Sequence, residues 1–396
     1  MKPLNNTTHP LESLLQQHCP NGVEFKELGE VCETLPKGTL KTSQLTANGY
    51  PVINSGRDLY GYYSKFNNES NAFTIAARGE YAGFVNFMDS KFWAGGLCYP
   101  YRSNDENKLL TKFIYYHLKT NESNIMDSLV ARGSIPAINK KDIDKKLKIP
   151  IPPLEIQYKI VDILDAFTEL EAELEAELEA RLKQYHYYRN KLLSFEELQR
   201  RTDMLNGGGL KLVSLGELGK RNAGTKITAN QMQALHKENA PVRIFAGGST
   251  IADVDYCDLP KKDVIDKPSI ICKARGYIGF EYYDKPFSHK SEFWSYTIDK
   301  NANQKFVYYF LINQQEHFQK LAKANSVKIP QLKVSNTDNF QISLPPLVVQ
   351  NDIVELLDKF DTLTNDLTSG IPAEIEARKK QYEYYRERLL SFIAKD

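Results

Sequence analysis

Cysteine is scarce. Five occur in 396 residues (Cys19, Cys32, Cys98, Cys257, Cys272), scattered and without a C-x-x-C pair. That excludes a disulfide-stapled scaffold and a cysteine zinc site, and points to buried free thiols in a reducing cytoplasm. No run approaches the ~18–20 apolar residues of a membrane span. The opening stretch, M-K-P-L-N-N-T-T-H-P, has no apolar signal region. Net charge is only +1, so gross charge does not announce a nucleic-acid binder. Catalytic signatures are missing too. Without G-x-x-x-x-G-K-S/T there is no ATP motor. Without D-P-P-Y or N-P-P-Y there is no amino-methyltransferase loop, and no P-D…E-x-K nuclease pattern falls in a convincing strand. Phe245-Ala246-Gly247-Gly248 is too short for an S-adenosylmethionine fingerprint. The seven histidines (His9, His18, His117, His186, His236, His289, His317) show no ligand spacing. The expectation is a chain that catalyses nothing alone and holds no metal or cofactor.

What is present is a globular composition, 41% hydrophobic and 26% charged, long enough for two to four domains. Its main feature is a tandem repeat. Residues 179–195 read E-A-R-L-K-Q-Y-H-Y-Y-R-N-K-L-L-S-F, and 376–392 read E-A-R-K-K-Q-Y-E-Y-Y-R-E-R-L-L-S-F. Upstream, I-P-I-P-P-L-E-I-Q-Y-K-I-V-D-I-L-D-A-F (149–167) matches I-S-L-P-P-L-V-V-Q-N-D-I-V-E-L-L-D-K-F (342–360). Looser echoes are Leu28-Gly29-Glu30 with Leu215-Gly216-Glu217, and Ala77-Arg78-Gly79 with Ala274-Arg275-Gly276. Trp93 and Trp294, the only tryptophans, each follow a phenylalanine and read as equivalent. The chain is two copies of one unit, each a globular part followed by a long helix. The globular parts have diverged and the helices have not.

Pro152-Pro153 and Pro345-Pro346 mark helix starts. No Gly or Pro interrupts 154–205, so the first helix is expected to run about 45 residues, roughly 65–70 Å. Its apolar residues step by 3 and 4, which is a coiled-coil seam. The seam comprises Ile156, Ile160, Phe167, Leu170, Leu174, Leu178, Leu182, Tyr185 and Tyr188, facing Ile353, Leu356, Phe360, Leu363, Leu367, Tyr382 and Tyr385. Residues 168–180 form a run of E-L-E-A tetrapeptides with six Glu; setting these aside leaves the rest at about +7. Each tetrapeptide adds about 6 Å of rod, against 3.4 Å per base pair, so copy number would act as a ruler. The second helix carries Thr368-Ser369-Gly370-Ile371-Pro372 instead, and Pro372 should break it.

The globular parts read as mixed α/β, with strands at Ala72–Ile75 and Ser269–Cys272 and buried helices at F-I-Y-Y-H-L and F-V-Y-Y-F-L. Several loops combine bases, small polar residues and glycine, as phosphate and base-edge contacts require. The candidate DNA contacts are Lys37, Lys41, Thr42, Ser43, Ser55, Arg57 and Arg78 in the first half. In the second they are Lys220, Arg221, Lys226, Ser249, Thr250 and Arg275. Any one such loop alone is an ordinary solvated turn, and an A-R-G arginine can equally be a turn residue in a structural ion pair. Recurrence in both halves is what favours the binding reading.

The paired P-P-L-x-x-Q-x-x-I-V helices, the A-R-x-K-Q-Y-x-Y-Y-R-x-x-L-L-S-F endings, and the segments P-V-I-N-S-G-R-D-L-Y-G-Y-Y and I-A-A-R-G-E-Y-A-G-F-V resemble a known family. It is that of the specificity subunits of type I restriction–modification systems, and the resemblance covers essentially the whole chain. It implies two target-recognition domains, 1–152 and 206–345, each reading half of a split asymmetric site in double-stranded DNA. It implies two conserved helical segments, 153–205 and 346–396, packed as an antiparallel coiled coil in a pseudo-two-fold, mixed α/β architecture. That frame would set the spacer and dock two methyltransferase subunits, with motor-nuclease subunits joining the complex. S-adenosylmethionine, ATP and Mg²⁺ would belong to those partners, and the unequal second helix puts symmetric docking in doubt. Two alternatives stand beside this reading. One is a recognition subunit in a system without the motor subunit. The other is a coiled-coil scaffold that does not bind DNA.

Overall fold

The structure, a computed structural model, describes residues 17, 19–205, 209–248, 250–299, 302–326 and 328–394. They form two compact units, one made of 1–175 with 374–396 and the other of 176–373.

In the first unit the chain enters and leaves its globular part on one antiparallel pair, Glu24–Glu27 against Lys148–Ile151. Between them lies a four-stranded antiparallel sheet in the order Cys32–Thr34, Cys98–Ser103, Ala72–Ala76, Val85–Met88. Ala72–Ala76 is buried along its whole length, Thr74 included, as its central place in the sheet requires. A smaller sheet joins Tyr50–Ile53 antiparallel to Gly61–Tyr63 and parallel to Trp93–Ala94. The helix Thr111–Thr120 covers the large sheet with Phe113, Ile114, Tyr116 and Leu118 in the core.

The second unit repeats this plan. Lys211–Ser214 pairs with Gln341–Leu344. The four-stranded order is Gly219–Ala223, Trp294–Ile298, Ser269–Lys273, Gly279–Tyr283. In the small sheet Val242–Phe245 runs antiparallel to Ile251–Val254 and parallel to Phe287–His289. The helix Gln304–Asn313 corresponds to Thr111–Thr120. The two tryptophans are not equivalent after all. Trp93 lies in the small sheet of its unit, and Trp294 in the large sheet of the other. The true counterpart of Tyr101 is Tyr296: each buried hydroxyl donates to an aspartate, Asp144 at 2.8 Å and Asp338 at 2.5 Å. The Phe-Trp dipeptides match by composition, in strands that differ by one position in the fold.

The repeated P-P-L-x-x-Q start is a mortise. Gln157 is fully buried; its Oε1 accepts from the Leu110 backbone N–H and its Nε2 donates to the carbonyls of Lys108 and Pro152. Gln350 does the same with the Asn303 N–H and the Pro345 carbonyl. About two turns on, Asp165 accepts from Lys112 (2.7 Å) and Tyr116 (2.5 Å), and Asp358 accepts from Lys305 and Tyr309 at the same distances. A buried amide with its bonds satisfied is far cheaper than one without, so this motif fixes where each helix leaves its domain.

The repeated Q-Y-x-Y-Y and L-L-S-F endings finish the opposite copy. In the first unit Phe167 stacks on Tyr385 and meets Tyr382 at a tilt, and Leu389 and Leu390 enter the core. In the second, Phe360 stacks on Tyr185 and Tyr188, and Leu192 and Leu193 enter the core. Each unit is thus closed by the tail of the other repeat. The long helix, Leu154–Leu192, contributes 154–175 to one unit and 176–192 to the other.

Three expectations about the helices need correction. The first helix is 39 residues, about 58 Å, and not one rod to 205. Ser194 caps a separate helix, Phe195–Met204, by accepting from the Glu197 N–H. The second seam is shifted by one position. Leu357 and Thr364 are buried, while Leu356 and Leu363 are each 38% exposed and Leu367 is 79% exposed. Val349, Ile353, Leu357 and Thr364 are buried and Phe360 partly so, and these positions follow the roughly 3.6-residue period of a helix lying on a domain. A strict coiled-coil seam would follow 3.5. In the first helix Leu164, absent from the expected seam, is fully buried for the same reason. Ile156, Ile160, Ile353, Phe360, Tyr185, Tyr188, Tyr382 and Tyr385 do pack in cores, and Leu170, Leu174, Leu178 and Leu182 are half-buried. The break falls where proline placed it: helices span Leu347–Asn365 and Ile371–Leu389, with Pro372 in the first turn of the latter. Asp366 caps the turn through Thr368 and Ser369. Cys32, Cys98 and Cys272 are buried free thiols, but Cys257 is exposed and Cys19 partly so.

Candidate nucleic-acid interface

In the first unit the candidates fall into three places. Lys37 is committed to structure. Its ammonium donates to the carbonyls of Gly96 (3.1 Å) and Cys98 (3.4 Å) and sits 4.5 Å over the Tyr99 ring. Lys41, Thr42 and Ser43 are exposed on a 3₁₀ turn, Thr42–Gln44, held against the small sheet by a 2.8 Å bond between the Thr42 and Tyr60 hydroxyls. Tyr60 and Tyr62 are themselves about two-fifths exposed. Ser55 and Arg57 follow the strand Tyr50–Ile53, in a bend whose Gly56 carbonyl accepts from Asn86. The field of Arg57 reaches a half-buried ammonium, Lys119, which bonds Glu122 at 2.7 Å and lies 3.6 Å over Phe84. Burial pushes Lys119 below the usual lysine range, Glu122 opposes that, and Arg386 and Arg57 add to it.

In the second unit Lys220 and Arg221 do not lie in a loop, as their glycine-flanked sequence suggested. They occupy the edge strand Gly219–Ala223, paired with Trp294–Ile298. Arg221 pairs with Asp338 at 3.5 Å. With Lys226 they line an open cavity of about 890 Å³, whose polar lining includes Asn222, Thr225 and Thr297. Lys262 and Lys267 join them there, with Asp258, Asp263, Asp266 and Asp299 interspersed. Those two lysines were missed, although K-K-D and D-K-P satisfy the same base-plus-turn criterion. Thr250 is exposed beyond Phe245, its carbonyl accepting from the Ala246 N–H. Ser249 lies outside the described residues.

Arg78 and Arg275 are the pair that the two units place identically. Each arginine is exposed, follows a buried alanine and precedes a glycine at positive φ, +101° at Gly79 and +80° at Gly276. A Cβ at either glycine would meet nothing within 4 Å, so glycine is there for the turn and not for packing. Each turn is zipped to a second segment that sequence comparison had not matched, Ile135-Pro136-Ala137-Ile138 and Ile329-Pro330-Gln331-Leu332. Gly79 N–H donates to Pro136 and Ile138 N–H to Ala77; Gly276 N–H donates to Pro330 and Leu332 N–H to Ala274, all within 2.8–2.9 Å. Antiparallel bridges pair Arg78 with Ala137 and Arg275 with Gln331. Among the described residues no carboxylate pairs with either arginine. Two loops tied by backbone bonds make a stiff platform, which holds at the surface a guanidinium with no partner among the described residues, as a base or phosphate contact needs.

Among the described residues one cluster of metal-ligating side chains occurs. Asp255, Cys257 and Asp258 cluster, but Lys237 bonds both aspartates at 2.6 and 3.1 Å. Among the described residues no helix is long and apolar enough to cross a membrane.

Comparison with known proteins identifies the family. The sequence profile of the type I restriction modification DNA specificity domain matches twice, over 20–184 and 208–377. The specificity subunit of the type I restriction enzymes EcoR124I and EcoR124II of Escherichia coli is 31% identical, covering 93% of this chain and 94% of that one. A Haemophilus influenzae protein assigned as a type I restriction enzyme specificity subunit is 32% identical over 98% of this chain and 99% of its own length. Among solved structures, the type I restriction-modification S subunit from M. genitalium has the same fold, with a TM-score of 0.67 at 22% identity, covering 93% of this chain and 96% of that one. With one profile match in each repeat, and relatives that align from end to end, the chain belongs to the family of type I restriction–modification DNA specificity subunits.

Proposed function

We propose that each unit reads one half of a split, asymmetric sequence in double-stranded DNA, and that the helical frame sets the distance between the halves. The observation that carries this reading is the repeated sheet plan with dissimilar surfaces. The A-R-G turn recurs in place, while the loops around it do not. The first unit offers Lys41, Thr42, Ser43, Ser55 and Arg57, and the second a charged cleft lined by Lys220, Arg221 and Lys226. Two readers with the same chassis and different contacts suit two half-sites of different sequence. Phosphate contacts from the lysines would position the duplex, and base-edge contacts from Arg78 and Arg275 would specify it.

The conserved helices would dock two methyltransferase subunits, and motor-nuclease subunits would join through that complex. This chain would then supply specificity and no chemistry. S-adenosylmethionine, ATP and Mg²⁺ would be bound by the partners. The test is a base-resolution methylation map of host DNA with and without the gene. A split asymmetric motif that disappears on deletion supports the reading and returns both half-sites. Loss of a continuous motif breaks the two-reader part of it, and no change at all in a host with an active partner methyltransferase removes it.

A further inference from the structure

An exposed apolar side chain outside the candidate loops recurs in both units. Ile135 is 53% exposed and Ile329 is 45% exposed. Each is the first residue of an Ile-Pro pair zipped to an A-R-G turn. The anchoring residues three further on, Ile138 and Leu332, are 3% and 2% exposed, and Ala77 and Ala274 opposite them are buried as well. Each segment is therefore anchored in the core at one end and open to solvent at the isoleucine.

Backbone bonding puts the isoleucine beside the arginine's turn. Arg78 is bridged to Ala137, and Ile135 directly precedes Pro136, whose carbonyl accepts from the Gly79 N–H. Arg275 is bridged to Gln331, and Ile329 directly precedes Pro330, whose carbonyl accepts from the Gly276 N–H. Each isoleucine sits in the bend that leads into this pairing. Proline after the isoleucine holds that residue extended, and β-branching restricts its χ1. Little conformational freedom remains to be lost when this side chain meets a surface. A single exposed isoleucine is unremarkable. The same one, beside the same arginine, in two globular parts that have otherwise diverged, points to a shared task.

We propose that Ile135 and Ile329 are specificity-determining residues, each making an apolar contact with the C5-methyl of a thymine next to the base pair that Arg78 or Arg275 contacts. The inference rests on the DNA-reading function proposed above. Its chemistry follows from the pairing: in the major groove, arginine is matched to guanine O6 and N7, and the one apolar base group within the same groove is the thymine methyl. A guanidinium and a branched alkyl group side by side on a stiff loop present both complements at once.

The experiment uses the full chain in complex with its methyltransferase subunits, bound to a duplex carrying both half-sites. Each thymine is replaced in turn by deoxyuridine, which removes only the methyl, and affinity is measured at fixed salt. One position in each half-site should be sensitive, by about fourfold for one buried methyl. Ile135→Ala should abolish that sensitivity in one half-site only, and Ile329→Ala in the other. Ile135→Val and Ile329→Val should retain it, which separates a contact from a general weakening of the loop. If no deoxyuridine position is sensitive, or if the alanine variants keep the wild-type pattern, the inference is overturned while specific binding stands. A wild-type complex that does not distinguish its site from a scrambled duplex overturns the DNA-reading function itself.

Discussion

Arg78 and Arg275 carry the sharpest residue-scale expectation. If each contacts a guanine, Arg78→Ala and Arg275→Ala will each relax one half-site only, at about 1–3 kcal/mol. Binding of the complex to duplexes mutated one base at a time measures this, and unchanged discrimination in both variants removes them from the interface. The histidines give a second expectation. His117 and His289 are buried and held neutral; desolvation pushes each down to about 4, partly opposed by the backbone carbonyls of Lys148 and Lys290. Their folded values lie below the ~6.5 of an unfolded histidine. Unfolding therefore takes up to two protons between about pH 6.5 and 4. The stability these residues contribute is fully present above pH 6.5 and is lost as pH falls through that window. Denaturation midpoints recorded from pH 7 to 5, above most carboxylate titration, should fall, and His117→Gln should flatten the slope. At this scale the sequence was only partly legible. Arg78 and Arg275 stood out because they recur in a shared motif. Lys37 looked the same on paper and proved to be tied to the Gly96 and Cys98 carbonyls. Nothing local to P-K-G-T distinguishes a free lysine from one whose acceptors lie some sixty residues away. Ile135 and Ile329 were passed over because an apolar side chain in a loop looks like core until its exposure is known.

At the scale of elements, the E-L-E-A run invites a direct manipulation. Removing one tetrapeptide from 168–180 takes out about 6 Å of rise. If the helix is the ruler, the spacer in the methylated motif should shorten by one to two base pairs, read from the same methylation map; an unaltered spacer shows that it is not. Helices were the most readable elements here. Both proline pairs, the break before Pro372 and the aromatic endings were visible in the residues, since each depends on local sequence. The heptad assignment of the second helix slipped because a 3-4 stripe has two adjacent solutions. The choice between Leu356 and Leu357 is made by the domain surface beneath. The stop at Ser194 was overlooked for a related reason: S-F-E-E is an N-cap followed by acidic residues in a first turn, hidden inside a run free of Gly and Pro. Strand-forming Gly219–Ala223 was read as a loop because its pairing partner, Trp294–Ile298, is remote in sequence.

The whole molecule is organised by exchange. The first unit contains Tyr382, Tyr385, Leu389 and Leu390 from the end of the chain. Ending the chain after Ala373 should therefore loosen a unit whose globular part begins before residue 30. Hydrogen exchange should rise across Thr111–Thr120 and the start of the long helix, while 176–373, which is intact, should keep its protection. Loss of protection confined to the second unit would contradict this arrangement. The repeat was obvious in the sequence, but its exchange was not, since two closely similar endings can each close their own copy or the other one.

That exchange also imposes a timetable. Residues 374–396 emerge from the ribosome only after all of 176–373 has been made. At ~5–20 residues per second, the first unit waits about 10–40 s for its last core side chains. The second, whose borrowed helix precedes it, has everything it needs as soon as its own residues appear. During that interval the nascent chain carries an unfinished apolar socket around Phe113 and Phe167, and nascent-chain chaperones have their longest opportunity there.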